Sequence, residues 1–404
     1  MARVAQRAEL AKLAYVLGSS PEQLAHLQAL PAAQMRTMRV AVYERMFAHD
    51  QGVYARLAAL VRRLPTWLVA LLAPRFGARL VARIAGDLPV KRAVAIAERL
   101  QTGFLADVTR DLDPRRVGDL IRQLSVDKIC AVALELFRRE EFLIMGRFVN
   151  YLTDAAVQAV LPQMDNDEHL ARVAFYVESR NRLSHIVRLM PEERLRRIIL
   201  QGVEPDCPIL LELIALVVNV SYAQQRDLGD LAAAQDEAVL ERILETAQSQ
   251  GLWADLLPVI GVLSEVSQRK AVNLPMLQQD PVFFRSILQT AHEHDLWSVA
   301  LPLTQHMNEA ARDVVSQAIS EMPKAALEQA LNAALMGERW ILVLDLAKRL
   351  PPAKQREVAA LVVPYGEVHP ALLHRLVRRV GELGYGEVFE GLLPPALEAE
   401  LPTG

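Results

Sequence analysis

The sequence predicts an all-α protein built from repeated helical segments, and three observations support this fold class. Apolar residues recur three and four positions apart along most of the chain, the spacing of a helix with one buried face. Short breaks rich in Pro, Gly, Asp and Asn separate these apolar stretches. A bulky aromatic residue also returns at a nearly constant interval in the second half of the chain.

The aromatic residues define the repeat of the second half. Trp253, Trp297, Trp340 and Tyr385 follow one another at intervals of 43 to 45 residues. Each lies where one apolar helix gives way to the next, as in LERILETAQSQGLWADLLPVIGVL at 240–263. One helix pair leaves an apolar face uncovered, so neighbouring repeats must stack to bury it. We interpret the aromatics as core residues between repeats, with a stripe for ligand stacking as the alternative.

The first half contains a three-helix repeat between residues 88 and 202. Its third helix opens at Asp113, Thr153 and Pro191, which lie 40 and 38 residues apart. Asp is a good N-cap, and Pro is tolerated in the first turn of a helix. In the second copy, the apolar runs FLIMGRFVNYL and AAVQAVLPQM predict the second and third helices. The place of the later aromatics is taken by Phe104, Phe142 and Leu183.

Helical repeats of about 38 to 45 residues resemble HEAT and armadillo repeats. That resemblance implies a right-handed superhelical α-solenoid with two to three helices per repeat. Residues 88–202 are also similar to the cytosolic N-terminal domain of MgtE-type magnesium transporters, through DPRRV at 113–117 and PEERL at 191–195. The sequence shows no counterpart of the sensor domains or membrane bundle of those transporters. The similarity therefore implies an α-superhelical fold, and neither transport nor a metal site.

We divide the chain into four segments. Residues 1–87 are predicted to form an N-terminal helical cap with the first repeats, and 88–203 a basic solenoid arm. Residues 204–236 interrupt the rhythm and are predicted to be a junction. Residues 237–404 form an acidic arm with a C-terminal cap.

The net charge of −3 conceals a strong asymmetry between the halves. Residues 1–203 hold 30 Lys and Arg against 21 Asp and Glu, whereas residues 204–404 hold 15 against 27. Such asymmetry indicates an anionic partner of the basic half, head-to-tail attraction between copies, or an uneven solvated surface. The sequence leaves these three alternatives open.

Cysteine content and hydropathy indicate the compartment. Cys130 and Cys207 are too few for a disulfide framework or a Cys-based zinc site. The first residues lack the charged and apolar blocks of a signal peptide. The most apolar run, 209–220, is shorter than the roughly 20 residues that cross a bilayer, so it predicts a buried helix. We expect a cytoplasmic protein without membrane insertion.

No catalytic or cofactor motif is evident. The sequence contains no GxGxxG or GxxxxGK[ST] phosphate loop, no GxSxG elbow and no HExxH. The carboxylate pairs Glu140-Glu141 and Glu192-Glu193 lie at predicted helix ends. His292 and His294 lie two residues apart, on different helical faces. We therefore predict no metal, no cofactor and no enzymatic activity. The same sequence region also holds Asp295 and a third histidine, His306, and His369 and His374 lie five residues apart.

Arginine is the one suggestive feature, with 38 Arg against 7 Lys. The guanidinium fork binds phosphate and carboxylate bidentately. We predict a binding site for an anionic ligand or protein where arginines crowd one repeat, with a solvated helix face as the alternative. Its residues are Arg180, Arg182, Arg188, Arg194, Arg196 and Arg197.

The predicted function is a non-catalytic interaction scaffold that binds a protein or peptide on the concave face of the solenoid. One alternative is a binder of nucleic acid or another polyanion through the Arg-rich N-terminal half. A second alternative is a self-assembling structural protein, a homo-oligomer joined through its acidic and basic arms.

Overall fold

A computed structural model describes residues 3–48, 51–204, 209–336, 339–368 and 370–382 of the chain. Every regular element in these ranges is helical, which confirms the all-α class. Contacts divide the chain into an N-terminal unit, Met1–Gln224, and a C-terminal unit, Gln225–Gly404. The boundary falls inside the segment 204–236. Cys207, His369 and Tyr385 lie outside the described residues.

The N-terminal unit is a succession of helices, and a 3-10 turn follows three of them. Its helices are α1 Arg3–Leu17, α2 Ala32–Ala48, α3 Gln51–Val61, α4 Thr66–Phe76, α5 Ala78–Ala85, α6 Val90–Ala97, α7 Thr102–Asp111, α8 Pro114–Gln123, α9 Val126–Arg138, α10 Phe142–Phe148, α11 Asp154–Val160, α12 Asp167–Phe175, α13 Arg180–Leu189, α14 Glu192–Gly202, α15 Leu210–Val218 and α16 Tyr222–Ala233, which crosses the boundary.

Helices of the N-terminal unit pack on helices two places further along. Helix α3 contacts α5, α5 contacts α7, α7 contacts α9 and α9 contacts α11, while α4 contacts α6 and α6 contacts α8. Neighbour-on-neighbour packing is expected when each repeat covers the apolar face of the one before it. One hydrophobic core runs through this stack from Ala73 to Leu213.

The C-terminal unit repeats this packing. Helix α21 contacts α23, α22 contacts α24, α23 contacts α25 and α24 contacts α26. A core that includes Leu327, Leu350 and Val362 lies among its last helices. The helices are α17 Glu237–Gln250, α18 Trp253–Val262, α19 Glu265–Val272, α20 Pro275–Gln279, α21 Pro281–Glu293, α22 Trp297–Leu303, α23 Glu309–Ser320, α24 Lys324–Met336, α25 Trp340–Ala347, α26 Pro352–Val368 and α27 Pro370–Glu382.

The predicted helix openings are present. The Asp113 side chain accepts a hydrogen bond from the Arg115 amide, and the Thr153 hydroxyl accepts one from the Ala156 amide. Pro191 precedes α14 without a side-chain cap. Helices α6–α8, α9–α11 and α12–α14 are therefore the three repeats that the openings predict, and we number them first, second and third.

Two helices of the second repeat are shorter than the apolar runs that predict them. Helix α10 ends at Phe148 and continues as a 3-10 turn, Val149–Tyr151, and α11 is followed by the turn Leu161–Gln163. Pro162 lies in the second turn and has no amide hydrogen to continue an α-helix. Hydrophobic spacing alone does not distinguish the tighter 3-10 geometry from α-helix.

A left-handed residue ends the helix before three of the aromatics. Glu140, Gly251 and Asp295 have φ of 59°, 63° and 53°, and each lies two residues before the aromatic. The intervening amide donates to a carbonyl five residues back, which completes a Schellman turn. These bonds join Glu141 to Leu136 at 3.0 Å, Leu252 to Ala247 at 2.8 Å and Leu296 to Ala291 at 2.9 Å. The same turn thus places the aromatic at the start of the next helix.

The apolar run 209–220 forms α15, and its residues Ile209, Leu213 and Ile214 are buried. This confirms the buried helix that the run predicts. None of the helices in the described ranges combines the length and the apolar character that crossing a bilayer requires.

Candidate functional site

The predicted arginine cluster lies in the third repeat, and two of its side chains, Arg182 and Arg194, contact helix ends of the second repeat. The Arg182 guanidinium donates to the carbonyl oxygens of Val149 at 3.2 Å and Leu152 at 2.7 Å, and it also pairs with Asp154. Carbonyls at a helix end have no partner within the helix. Arg182 therefore satisfies the end of one repeat from the next.

Arg194 does the same one helix later. It donates to the Leu161 carbonyl at 3.0 Å, to the Met164 carbonyl and to the buried Asp167 carboxylate at 2.7 Å. Arg197 donates to the second oxygen of Asp167 at 2.8 Å. One buried carboxylate is thus held by two guanidinium groups.

The other three arginines of this predicted site also have partners. Arg180 donates to the Val218 carbonyl at 2.8 Å, and Arg188 donates to the Ser184 carbonyl at 3.4 Å. Arg196 pairs with Glu192 along its own helix at 3.1 Å. All six side chains are therefore engaged inside the N-terminal unit. Ligand binding at this cluster stays a prediction, and a ligand would have to compete with these contacts.

Cations close helix ends elsewhere in the chain in the same way. A lysine or arginine side chain donates to carbonyls that lie 28 to 37 residues earlier, at the end of a preceding helix. The pairs are Arg92 with Val61 at 2.8 Å, Lys128 with Leu100 at 2.9 Å, Lys270 with Ala233 at 2.7 Å and Lys354 with Met322 at 2.9 Å. Much of the arginine and lysine content therefore serves joints between helices.

The repeat aromatics are mostly enclosed. Phe142, Trp253 and Trp297 are buried, and Phe104 is half-buried. The indole N–H of Trp253 donates to Gln248 Oε1 at 2.6 Å, and that of Trp297 donates to Gln329 Oε1 at 3.2 Å. Trp340 begins α25, but its side chain is outside the described part of the structure.

The histidines that the structure describes in the C-terminal unit do not converge on a metal-like centre. His292 Nδ1 lies 2.6 Å from Gln329 Oε1, and the Gln329 amide donates to Asp295 at 3.0 Å. His306 is buried elsewhere, beside Gln305. Across the described ranges, no three His, Cys, Asp or Glu side chains are grouped so that they could hold a metal ion.

The two carboxylate pairs make salt bridges. Glu141 pairs with Arg110 at 3.1 Å, and Glu192 pairs with Arg196 at 3.1 Å. Glu140 is exposed and left-handed, as described above.

A cluster of buried charges joins α1 to α2, which together form the N-terminal helix pair. The Glu9 carboxylate accepts from Lys12 at 3.2 Å, from Arg36 at 3.1 Å and from Arg39 at 3.1 Å. Glu9 and Lys12 are each only 2% exposed. Burial raises the pKa of Glu9, but the attraction of the three cations outweighs it and leaves that pKa below its ordinary value.

The helix pair rests on all three repeats. Arg39 donates to the Glu178 carboxylate of the third repeat at 2.8 Å, and the Tyr15 hydroxyl donates to the Arg110 carbonyl of the first at 3.1 Å. The Arg147 guanidinium of the second repeat lies 5.2 Å from the centre of the Tyr43 ring, a cation–π distance. We call this surface, defined by Arg110, Arg115, Arg147 and Glu178, the pair-binding face.

Sequence reasoning missed the pair-binding face. Glu9 and Arg39 lie 30 residues apart, and Arg39 and Glu178 lie 139 residues apart. Charged residues of α1 and α2 at helical spacing are compatible with a solvated helix face. Only the fold brings the Glu178 carboxylate to Arg39.

An apolar cavity of about 210 Å³ lies among helices α3 to α8. All of its lining residues are Ala, Val, Leu, Ile or Phe. Leu60 and Phe76 line it and are also 58% and 63% exposed, so the cavity opens to the surface at these two side chains. Gly77, with φ of 83°, ends α4 directly after Phe76.

The surface around this opening carries both apolar and cationic side chains. Val53, Trp67 and Leu71 are 54%, 58% and 60% exposed. Four exposed arginines lie among them and make no hydrogen bond or ion pair with any residue that the structure describes. We call this region the basic apolar surface; it comprises Val53, Arg56, Leu60, Arg63, Trp67, Leu71, Arg75, Phe76 and Arg79.

Comparison with known proteins adds no relative: no family model, no curated protein and no solved structure matches this chain.

Proposed function

We propose that this chain is a non-catalytic interaction scaffold that binds a helical segment of another protein on its pair-binding face. One observation carries the proposal: three consecutive repeats each contribute a polar contact to the same pair of helices. Helical repeat arrays form extended surfaces that can bind a helix of another protein.

The contacts define the chemistry of the partner. The face offers a carbonyl at Arg110, guanidinium groups at Arg115 and Arg147, and a carboxylate at Glu178. A pair of helices that presents one tyrosine as α1 presents Tyr15, and a tyrosine and a cation as α2 presents Tyr43 and Arg39, would reproduce them. Because the chain's own helix pair already occupies the face, the partner would bind by displacing it.

We further propose that the repeats within each unit are of the HEAT or armadillo type and wind into a right-handed superhelix. The packing of many helices on the helix two places along supports this proposal. On this view the pair-binding face is the concave one. The similarity of 88–202 to the MgtE N-terminal domain belongs to the same proposal.

A peptide of residues 1–48 is the probe that tests the function. In full-length Arg39→Ala, α2 loses its bonds to Glu9 of α1 and to Glu178 of the pair-binding face, while the face itself stays intact. We expect the labelled peptide to bind this variant at least tenfold more tightly than it binds the wild type, by fluorescence anisotropy. Arg285→Ala, which breaks an exposed ion pair with Glu321 at 2.7 Å, is the matched control and should behave as wild type.

Hydrogen exchange of α1 and α2 decides how a negative result is read. If exchange shows the helix pair released in Arg39→Ala and the peptide still does not bind, the proposed function is wrong. Adding Glu178→Gln to Arg39→Ala should weaken peptide binding again, because the partner of the peptide's own Arg39 loses its charge.

The charge asymmetry also supports self-association as a second proposal. The C-terminal half holds 27 Asp and Glu against 15 Lys and Arg, opposite in sign to the N-terminal half. Light scattering at low and high salt tests it, since screening should dissociate a charge-driven oligomer. A monomer mass at both salt concentrations contradicts it.

A further inference from the structure

The basic apolar surface lies in a strongly basic part of the chain. Residues 51–99 contain nine Lys and Arg but only two acidic residues, Asp87 and Glu98. Arg62 and Arg92 donate to backbone carbonyls and so serve the fold. The four arginines of the basic apolar surface have no such use among the described residues.

Cationic and apolar side chains share the same helix faces there. Val53, Arg56 and Leu60 lie three and four residues apart on α3, and Trp67, Leu71 and Arg75 lie four apart on α4. Residues at these spacings project from one side of a helix. The opposite side of α4, with Val69, Leu72 and Ala73, lines the cavity. Helix α4 is therefore apolar on two sides, of which only the inner one is covered by the described residues.

Charge alone would suit any polyanion, but the apolar residues narrow the choice. A nucleic acid offers phosphates but no acyl chains that could cover Trp67 and Leu71. An anionic bilayer offers phosphates directly above acyl chains, the same order in which this surface presents arginine and apolar groups. Arginines placed among Trp, Leu and Val are typical of elements that lie in the headgroup region of a membrane.

The apolar cavity also favours a bilayer over a nucleic acid. Its walls are apolar throughout, so water gains no hydrogen bond inside it. Its opening, beside Leu60 and Phe76, lies within the basic apolar surface. A flexible acyl chain is the component of a membrane that such an opening would admit.

We propose that the basic apolar surface docks on anionic phospholipid bilayers, with its arginines at the lipid phosphates, Trp67 and Leu71 at the acyl boundary, and an acyl chain entering the cavity beside Phe76. The attachment is peripheral and involves no spanning helix. It is independent of protein binding at the pair-binding face.

Vesicle sedimentation with the full-length chain tests the proposal. We expect binding to vesicles that contain phosphatidylglycerol, weak or no binding to pure phosphatidylcholine, and release by salt. Arg56→Glu with Arg63→Glu should lower the affinity roughly 30-fold or more, from about fivefold for each charge removed. Trp67→Ser should lower it about tenfold, because an exposed apolar side chain no longer inserts.

Two control measurements separate docking from general charge and from misfolding. Lys324→Glu with Arg378→Glu makes the same change in charge at exposed positions of the C-terminal unit and should bind within twofold of wild type. Quenching of tryptophan fluorescence by phosphatidylglycerol brominated in its acyl chains should be strong in the wild type. It should fall in Trp67→Phe, which keeps an apolar side chain there, while sedimentation persists.

Three outcomes overturn the proposal. The first is no binding to anionic vesicles at low salt by the folded wild type. The second is equal loss of binding in the surface variant and the C-terminal control. The third is binding of a DNA or RNA oligonucleotide that competes with the vesicles and is unchanged in Trp67→Ser, since the surface would then recognise phosphate charge alone.

Discussion

Two groups of arginines in the N-terminal unit differ in what surrounds them. Those between Arg180 and Arg197 are engaged by carbonyls and carboxylates of the second repeat, of their own repeat or of α15. Those between Arg56 and Arg79 in the basic apolar surface face outward among exposed apolar side chains. The comparison teaches that the density of arginine along a sequence does not locate a binding site. The supply of acceptors around each arginine does.

The charge count along the chain agrees with this distinction. Residues 101–203 hold 15 Lys and Arg against 15 Asp and Glu, so the crowded arginines lie in a neutral stretch. Residues 1–100 hold 15 against 6, and they supply the whole excess of the basic half. The excess of cations over anions therefore lies in the first hundred residues.

The largest effect should come from removing the anion of a fully buried cluster. Glu9→Ala leaves Lys12 and Arg39 buried without their carboxylate, which we expect to cost about 3–5 kcal/mol of unfolding free energy. Urea denaturation measures it. Glu192→Gln, at an exposed pair with Arg196, is the control and should change stability by less than about 0.5 kcal/mol. A small effect of Glu9→Ala would mean that the cluster is solvated.

Removing one engaged arginine should have the next largest effect. Arg182→Ala leaves the carbonyls of Val149 and Leu152 without their donor and should lower stability by about 2–3 kcal/mol. Arg182→Lys should recover only part of this, because an ammonium group cannot reproduce the planar fork. Thermal unfolding of both variants tests this contact between the second and third repeats. Full recovery with lysine would show that charge matters there and geometry does not.

Acid should remove the contribution of Glu9. Its pKa in the folded chain lies below the ordinary 4.5, since the neighbouring cations outweigh burial. The stabilisation is therefore complete above that value and is lost as the pH falls through the folded pKa. The difference in unfolding free energy between wild type and Glu9→Gln should be largest at neutral pH and shrink in acid. A difference that grows in acid would contradict this sign.

The smallest effect concerns the turn before Phe142. Glu140 is left-handed, with φ of 59°, in the place that Gly251 takes before Trp253. Glu140→Gly should raise stability by about 0.5–1 kcal/mol, because glycine adopts this conformation without strain. Glu140→Ala keeps the Cβ atom and should bring no gain. Equal stability of the two variants would show that the turn carries no strain.

Much of the architecture could be predicted from the sequence. Helical spacing gave the all-α class, and the punctuation at Asp113 and Thr153 gave helix starts, because capping is encoded within three residues. The 3-10 endings and the left-handed Glu140 were not predictable from hydrophobic spacing. The carbonyls at the 3-10 endings find donors in the neighbouring repeat, whereas the Glu140 turn is closed by the adjacent Glu141 amide.

The sites were harder to predict for the same reason. Whether Arg194 binds a ligand or Asp167 is decided by packing between helices, at a separation of 27 residues. The balance of charge over longer segments would have shifted attention from 101–203, with 15 charges of each sign, to 1–100, with 15 cations against 6 anions. Nothing in the sequence revealed the cavity, which several helices enclose together.

A side-by-side measurement of two arginine-to-alanine variants tests most directly whether arginines in this unit divide between joints and an outward surface. Arg194→Ala removes bonds to the Leu161 and Met164 carbonyls and to Asp167, whereas Arg63→Ala removes none with a described residue. By urea denaturation, we expect Arg194→Ala to lose about 2–3 kcal/mol and Arg63→Ala to stay within about 0.5 kcal/mol of wild type. Equal losses in the two variants, or a larger loss in Arg63→Ala, would contradict the account.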